Sequence, residues 1–477
     1  MAVWKTTIKA LSVGIVISFA GCFSVGPDYT RPHVPVPESW HNLKDHPAKT
    51  ILSEADEKLL AEWWKTLGDP VLSNLIKRSV KGNLDVANAY ARVREARARR
   101  GIAASALFPT LGMSASAKGS YTDVHKGPTT TQDYYDLGFD SSWELDIFGG
   151  TRRSVEAAQR TLEATEENLK NVLVSLTAEV ALTYVELRTY QKRLAVAEEN
   201  LAVQEESFRL ASWRYEAGLS DELAVQQARY NLESTRSQIP LLRASIDEAM
   251  NRLAVLTGEP PGKLHNELED YTSYNLSVPQ DDLLVGIPAD LLRRRPDIKK
   301  AERELAAQTA RIGIAEAELY PKLSLSGSIG LEALSPGGIF ASATKTIVGR
   351  GFLSFPIFSG GALVQAVEAE KALTEQALAS YRSTVLQALE EVENAIKSYA
   401  EEKKRHEALI SAELSARRAA DLARQKYASG LVDFGTVLEA ERSHLALQDQ
   451  LTQSEGNIIS YLIRLYKALG GGWLVSE

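Results

Sequence analysis

The feature that most limits what this chain can fold into is a duplication with an offset of about 212 residues. GIAASALFPTLGMSAS at 101–116 answers GIAEAELYPKLSLSGS at 313–328, and RYEAGLSD at 214–221 answers KYASGLVD at 426–433. Between them, ELDIFGG at 144–150 answers SFPIFSGG at 354–361. Three matches in the same order describe one unit used twice. Repeats this long are doubled domains, not the short units of a solenoid.

Each repeat carries a pair of segments with period-two hydropathy. Leu111, Met113, Ala115, Ala117, Gly119 and Tyr121 alternate with Gly112, Ser114, Ser116, Lys118, Ser120 and Thr122. Tyr135, Leu137, Phe139, Trp143, Leu145 and Ile147 alternate with Asp136, Asp140, Ser142, Glu144 and Asp146. Such alternation predicts strands with one apolar and one polar face. The third segment, 321–331, alternates as well, whereas the fourth, 346–357, is interrupted by Gly349, Gly351 and Pro356.

After each strand pair the pattern turns helical. No proline and no interior glycine occurs from Gly150 to Tyr215, which allows a rod of roughly 100 Å at a rise of about 1.5 Å per residue. A 4-3 stripe from Leu169 through Leu176, Leu187 and Leu201 to Tyr215 predicts a left-handed coiled-coil seam. The second rod, 361–427, keeps the length with a fainter, alanine-rich stripe. Gly218 and Gly430 fall where each rod needs a left-handed C-cap, and returning helices run to about Thr257 and Leu469.

Lipid offers no hydrogen-bond partners, so strands cross it only in a closed barrel. The four segments have the right length for crossing, but natural barrels start at about eight strands. Closure therefore requires several chains: two would supply eight strands, three would supply twelve. On this reading the apolar residues face lipid and the acids Asp136, Asp140, Glu144 and Asp146 face the lumen.

The N-terminus reads as a secretory signal. Lys5 and Lys9 precede the apolar run Ala10 to Ala20, too short to span a bilayer. That run ends in Phe19-Ala20-Gly21-Cys22, similar to a bacterial lipobox, with Phe19 in place of the usual leucine. Cys22 is the only cysteine, so there is no disulfide framework, and it is the expected acylation site. Cleavage before it would remove Lys5 and Lys9 and take the formal charge from −8 to −10. With that charge and no basic stretch, a nucleic-acid partner is not expected. The histidines at 33, 41 and 46 lie in a proline-rich leader without helical spacing. There is no Walker A loop, GxSxG, HExxH or zinc-spaced cysteine pair. An enzyme, a cofactor and a metal site are therefore not expected.

Several segments together resemble the NodT-type outer-membrane factors, the TolC-like channels of tripartite efflux systems. They are VGPDYTRPHVPVPESW (25–40), WWKTLGDPVLSNLI (63–76), LLRRRPDIKKAERELAAQ (291–308), AELYPKLSLSG (317–327) and LYKALGGGW (465–473). The resemblance implies an α+β membrane protein. Its form would be a trimeric twelve-strand transmembrane β-barrel continued by a twelve-helix periplasmic α-barrel. The expected organisation begins with a signal peptide at 1–21 and a lipid-anchored leader and equatorial segment at 22–82. The first repeat follows at 83–257, with strands near 108–147 and a helical hairpin near 150–257. An equatorial connector at 258–296 leads to the second repeat at 297–469, with strands near 321–357 and a hairpin near 361–469. A tail closes the chain at 470–477. The implied partners are two further copies of the chain in a homotrimer, outer-membrane lipid, a periplasmic adaptor (membrane fusion) protein and an inner-membrane transporter of the RND type. The absence of aspartate after Cys22, where Phe23 stands, fits retention in the outer membrane.

Two regions emerge as candidate sites. At the hairpin tips, Gly218, Leu219, Ser220, Gly430, Leu431 and Val432 lie where the resemblance places adaptor docking. In GTVLEAER (435–442), Glu439 and Arg442 match an acid and an arginine one turn apart that help close the family's periplasmic aperture. This chain has glutamate where aspartate is typical, and Gly435 where a bulky residue often narrows the pore. Ordinary helix capping at the tips and a surface i,i+3 ion pair are the competing readings. Alternative functions at this stage are the exit duct of a type I protein secretion system, or a lipid-anchored periplasmic coiled-coil or adaptor protein.

Overall fold

A computed structural model describes residues 24–43, 48–49, 60–123, 125, 129–269, 283–284, 294–341 and 343–473. The signal peptide, Cys22, His46, much of the connector and the last four residues lie outside these. The described chain falls into two units, residues 1–33, 92–166 and 300–382, and residues 34–91, 167–299 and 383–477. Helices α1 (Pro70–Gly82), α2 (Leu84–Ser105), α3 (Gly150–Glu216), α4 (Glu222–Leu256), α5 (Pro296–Ala317), α6 (Ala362–Ala428) and α7 (Phe434–Ala468) accompany strands β1 (Thr110–Thr122), β2 (Thr130–Leu145), β3 (Lys322–Ala333) and β4 (Thr344–Ser354). Among the described residues no helix is long and apolar enough to cross a membrane.

The first unit is organised around one antiparallel sheet in the order β1-β2-β3-β4. Alternation puts the odd-numbered residues on one face. Register lines up Met113, Phe139, Ile329 and Ile347 as one apolar row across all four strands, and each of these side chains is exposed in the single chain. Gly138 pairs with Gly330 at the centre of the sheet. A Cβ on Gly138 would come within 3.1 Å of the Gly330 Cα, a close approach of two backbones that favours glycine at both positions. The even-numbered face holds Ser116, Asp136, Glu332 and Thr344 in one row and Gly112, Asp140, Ser328 and Val348 in another.

One sequence expectation needs correction here. Asp146 is not on the strand, because β2 ends at Leu145. Its carboxylate accepts from the Thr151 and Arg152 N–H groups at 3.1 and 2.9 Å and pairs with the Arg152 guanidinium at 3.0 Å. Asp146 therefore satisfies free donors at the start of α3, and the alternation that assigned it to a lumen is broken by the turn.

In the second unit the middle of α3 shows why a single seam understates its burial. Val174, Leu176, Val180, Tyr184, Val185 and Leu187 are all buried, far more than one stripe would cover. Non-repeated segments wrap this stretch. Tyr184 donates to Asp69 at 2.7 Å, and Asp69 also caps α1. Gln191 donates to the Leu268 carbonyl at 2.8 Å, and Thr177 donates to the Gly472 carbonyl at 3.3 Å. Trp63 stacks on Tyr466 with ring centroids 5.7 Å apart. Arg295, just before α5, donates to the Ala468 carbonyl at 2.8 Å and pairs with Asp297 and Glu391.

Candidate functional site

The hairpin tips are built by capping. The Gly218 N–H donates to Tyr215 and the Leu219 N–H to Arg214, at 2.9 and 2.8 Å; the same pair of bonds recurs at Gly430 and Leu431. Both glycines have left-handed φ, +69° and +72°, so each tip is a Schellman turn whose C′ position strongly favours glycine. Asp221 and Asp433 then cap α4 and α7. The Thr436 N–H and hydroxyl hold the Asp433 carboxyl below its usual range. A Schellman turn usually tucks its next apolar residue against the preceding helix turn, yet Leu219 and Leu431 are 70% and 73% exposed. Capping explains the glycines and leaves two outward leucines unused. Behind the tips, Ala211, Ala224, Ala228, Ala423, Phe434, Val437 and Leu438 join all four hairpin helices in one apolar cluster.

One turn into α7, Arg442 pairs with Glu439 at 2.6 Å, with side chains 58% and 62% exposed. Within one chain this is a surface i,i+3 pair, worth about 0.3–0.5 kcal/mol. A groove of about 550 Å³ runs past it, bordered by Ala416, Ala419, Gly435, Thr436, Ala440 and Ser443. A Cβ on Gly435 would meet only Asp433 Oδ1 at 3.3 Å and Gln227 Oε1 at 3.6 Å. Arg442 also borders a polar cavity of about 300 Å³ between α3, α4 and α7, beside Asn200 and Gln204.

Sequence reasoning missed Glu441, whose buried carboxylate links α7 to two other helices. Its side chain is only 4% exposed, pairs with Arg424 on α6 at 2.8 Å and accepts from Ser207 on α3 at 3.3 Å. Farther along α7, His444 meets Glu413 at 3.0 Å, Asp449 meets Arg193 at 2.7 Å and Ser454 donates to Glu402 at 2.6 Å. The heptad position of Glu441 was the available signal: it lies four residues past Val437 and three past Leu438, toward the apolar side of α7.

On the sheet, Asp136, Asp140 and Glu144 share the even face. Ser116 and Ser114 donate to Asp136 and Asp140 respectively. The same face also carries Glu332, Lys118, Lys322 and Arg350. Four acids against three bases leave it only weakly acidic, because β1, β3 and β4 bring cations that the reading of β2 alone omitted.

At the start of the described chain, the leader is pinned beside the end of β2. The Val25 N–H donates to the Phe148 carbonyl at 3.0 Å. Arg153 donates to the carbonyls of Val25 and Gly26 and pairs with Asp28 at 2.8 Å. Gly26, at φ +87°, lies against the Gly313 backbone, where any side chain would collide.

Residues 75–259 and 287–471, one stretch in each repeat, match the family described as Outer membrane efflux protein. The chain belongs to that family. Among curated outer membrane efflux proteins and their relatives, it is 32% identical to Nodulation protein T of Rhizobium leguminosarum bv. trifolii over 95% of both chains. It is 33% identical to the pyoverdine export outer membrane protein OpmQ of Pseudomonas aeruginosa, over 92% of this chain and 91% of that one. The outer-membrane channel OprN superposes with a TM-score of 0.87 at 36% identity, covering 94% of this chain and 99% of that chain. The open-state MtrE outer membrane channel of Neisseria gonorrhoeae superposes with a TM-score of 0.81 at 26% identity, covering 94% and 98%. The fold is thus that of the TolC-like outer-membrane channels, strands and long helices included.

Proposed function

We propose that this outer membrane efflux protein is the exit duct of a tripartite pump, passing drugs or other toxic small molecules from a periplasmic assembly to the outside. Three copies form the duct. A periplasmic adaptor docks at the tips, with Leu219 and Leu431 as its contacts, and an RND-type transporter supplies the energy. The observation that carries the reading is the four-stranded sheet, with its exposed apolar face, polar opposite face and two unpaired edges, in a chain of this family. Relatives named for pyoverdine export and toluene efflux support small molecules over secreted protein. Reconstitution in a planar bilayer tests the duct: discrete single-channel steps are expected, and a protein that inserts without conducting would refute it.

Lipid anchoring at Cys22 belongs to the same proposal. Ser24, two residues on, abuts Gly149 just past the end of β2, which suits a cysteine acylated at the bilayer surface. Cys22→Ser is expected to lose all palmitate incorporation while much of the protein still fractionates with the outer membrane. The apolar face of a barrel buries far more surface than one acyl anchor, which by itself binds only marginally. Label persisting in the variant would show that Cys22 is not the acylated residue.

The lumen assignment predicts a modest cation preference, since carboxylate rings attract cations and the polar face carries one net negative charge per chain among its strand residues. Arg350→Glu should strengthen the preference. A reversal potential of anion-selective sign under a salt gradient would contradict the assignment of this face.

A further inference from the structure

Along α3 the apolar seam is broken at one buried place. Ala197, Leu201 and Phe208 keep the spacing of the stripe, but the seam position between Leu201 and Phe208 is Gln204, only 5% exposed. Its Oε1 is buried and has no hydrogen-bond partner among the described residues. One turn earlier, Asn200 is buried as well. Toward the tips lies the cluster of Ala211, Ala228 and Val437; away from them, Ala197 packs with Ile239 and Leu242. The polar cavity of about 300 Å³ walled by α3, α4 and α7 falls between these two clusters. A polar residue in a coiled-coil seam commonly sets register by bonding to the facing helix. Gln204 makes no such bond, and an unpaired buried amide costs about 1–3 kcal/mol.

The unmet hydrogen-bonding capacity of this wall is uncharged. Asn200, Gln204, Asn231, Thr235 and Gln238 line the cavity, and none of their side chains is hydrogen-bonded among the described residues. The charged groups of the wall are already matched. Arg193 holds Asp449 through two nitrogens at 2.7 and 3.1 Å, and Arg442 holds Glu439 at 2.6 Å. A free anion or cation would have to displace one of these partners, whereas a neutral molecule would not. Each amide offers an acceptor oxygen and two donor hydrogens, which match hydroxyls that both donate and accept. The remaining wall is apolar, with Val196, Ala197, Leu445 and Ala446, and the exposed Tyr230 ring stands at its rim. A pyranose has the same division, C–H faces edged by hydroxyls.

We infer that the cavity between α3, α4 and α7 is a binding site for a neutral pyranose sugar, with Gln204 and Asn200 as its buried contacts and Asn231 and Thr235 facing them from α4. Its volume lies at the small end of ligand pockets, which suits one ring, with a second reaching past Tyr230 toward solvent. Gln204 precedes Gly218 by 14 residues, roughly 20 Å along the hairpin, so the site is separate from the leucines at the tips. Its walls belong to both hairpins, α3 with α4 on one side and α7 on the other, so an occupant braces one hairpin against the other. The same chemistry is offered by a free sugar and by the end of a glycan strand.

The experiment titrates the purified full chain with N-acetylglucosamine and with its β1,4-linked dimer, read by saturation-transfer NMR and by calorimetry. The detergent is an amine oxide, which carries no sugar headgroup. Saturable binding of the neutral sugars is expected, with weaker binding of glucosamine and glucuronate, their cationic and anionic analogues. Gln204→Leu restores the apolar seam and Thr235→Val removes one hydroxyl at nearly constant shape. Each should weaken binding by about tenfold, the loss of one hydrogen bond. Gln204→Leu should at the same time raise the thermal midpoint, since it removes a buried unpaired amide; lost binding with gained stability separates a ligand contact from a packing residue. Tighter binding of the dimer assigns the site to the end of a glycan strand, and equal affinities assign it to a free sugar. Absence of saturable binding to the unaltered protein reduces the cavity to a packing gap between helices and overturns the site. Affinity unchanged in both variants, or stronger binding of either charged analogue, overturns it as well. None of these readouts depends on conductance, so the site and the duct fail separately.

Discussion

Arg295→Ala is expected to destabilise the protein by about 3 kcal/mol, toward the lower end of the range for breaking a buried ion pair. Arg295 is 8% exposed and ties three helices together: Asp297 in the first turn of α5, Glu391 on α6 and the last-turn carbonyl of Ala468 on α7. Burial disfavours its charge, yet bonds and charges from Asp297 and Glu391 outweigh that and raise its pKa above the ordinary guanidinium value. Truncation leaves the Ala468 carbonyl without this donor. Asp297 and Glu391 are more exposed and recover water, which keeps the cost from being larger. Arg295→Lys keeps the charge but not the planar fork that reaches Asp297 through two nitrogens, so it should recover only part of the loss. The measurement is the thermal unfolding midpoint of the purified protein in detergent, expected to fall by several degrees. A midpoint unchanged in Arg295→Ala would show that the packing around Gly470 and Tyr466 holds this junction without the arginine.

The second large effect is expected at the aperture. If three copies of Glu439 and Arg442 ring a narrow mouth, Glu439→Ala with Arg442→Ala should raise single-channel conductance several-fold and make cells sensitive to vancomycin. In a single chain the pair is exposed and weak, and its removal leaves α7 fastened through Glu441, His444, Asp449 and Ser454. Folding and assembly should therefore be unaffected, which separates a gating effect from unfolding. Gly435 offers no bulk to the mouth, and a Cβ there would press only on the Asp433 carboxylate, at 3.3 Å, so Gly435→Leu should act in the opposite direction and lower conductance. Equality of the double variant with wild type in both conductance and vancomycin sensitivity would reduce the pair to a surface bridge.

Much of this architecture was legible because it follows from periodicity. Period-two alternation over 111–121 and 135–145 specified strands with unlike faces, and the long proline-free stretches specified α3 and α6, since these are local properties of the backbone and of side-chain direction. The glycines at 218 and 430 were readable for the same reason: a left-handed C′ position is a local demand. Several residues were not readable this way. Asp146 kept the parity of the strand but lay one residue past its end, where free N–H groups of α3 compete for a carboxylate. Glu441 looked like one more surface charge on α7 until α6 and α3 supplied Arg424 and Ser207.

The sequence by itself determined the duplication, the two strand pairs, the hairpins and the family, all of which are written in spacing along one chain. Only the tertiary structure decided which residues meet between segments without a shared period. Asp69, Leu268, Arg295 and Gly472 come from stretches outside the repeat, yet they converge on the middle of α3 and the end of α7. Periodicity determines which face of an element is apolar, because that depends on neighbours three, four or two positions away. It carries no information about which distant carbonyl or carboxylate fills a buried hydrogen bond, since that depends on where the whole chain has folded back.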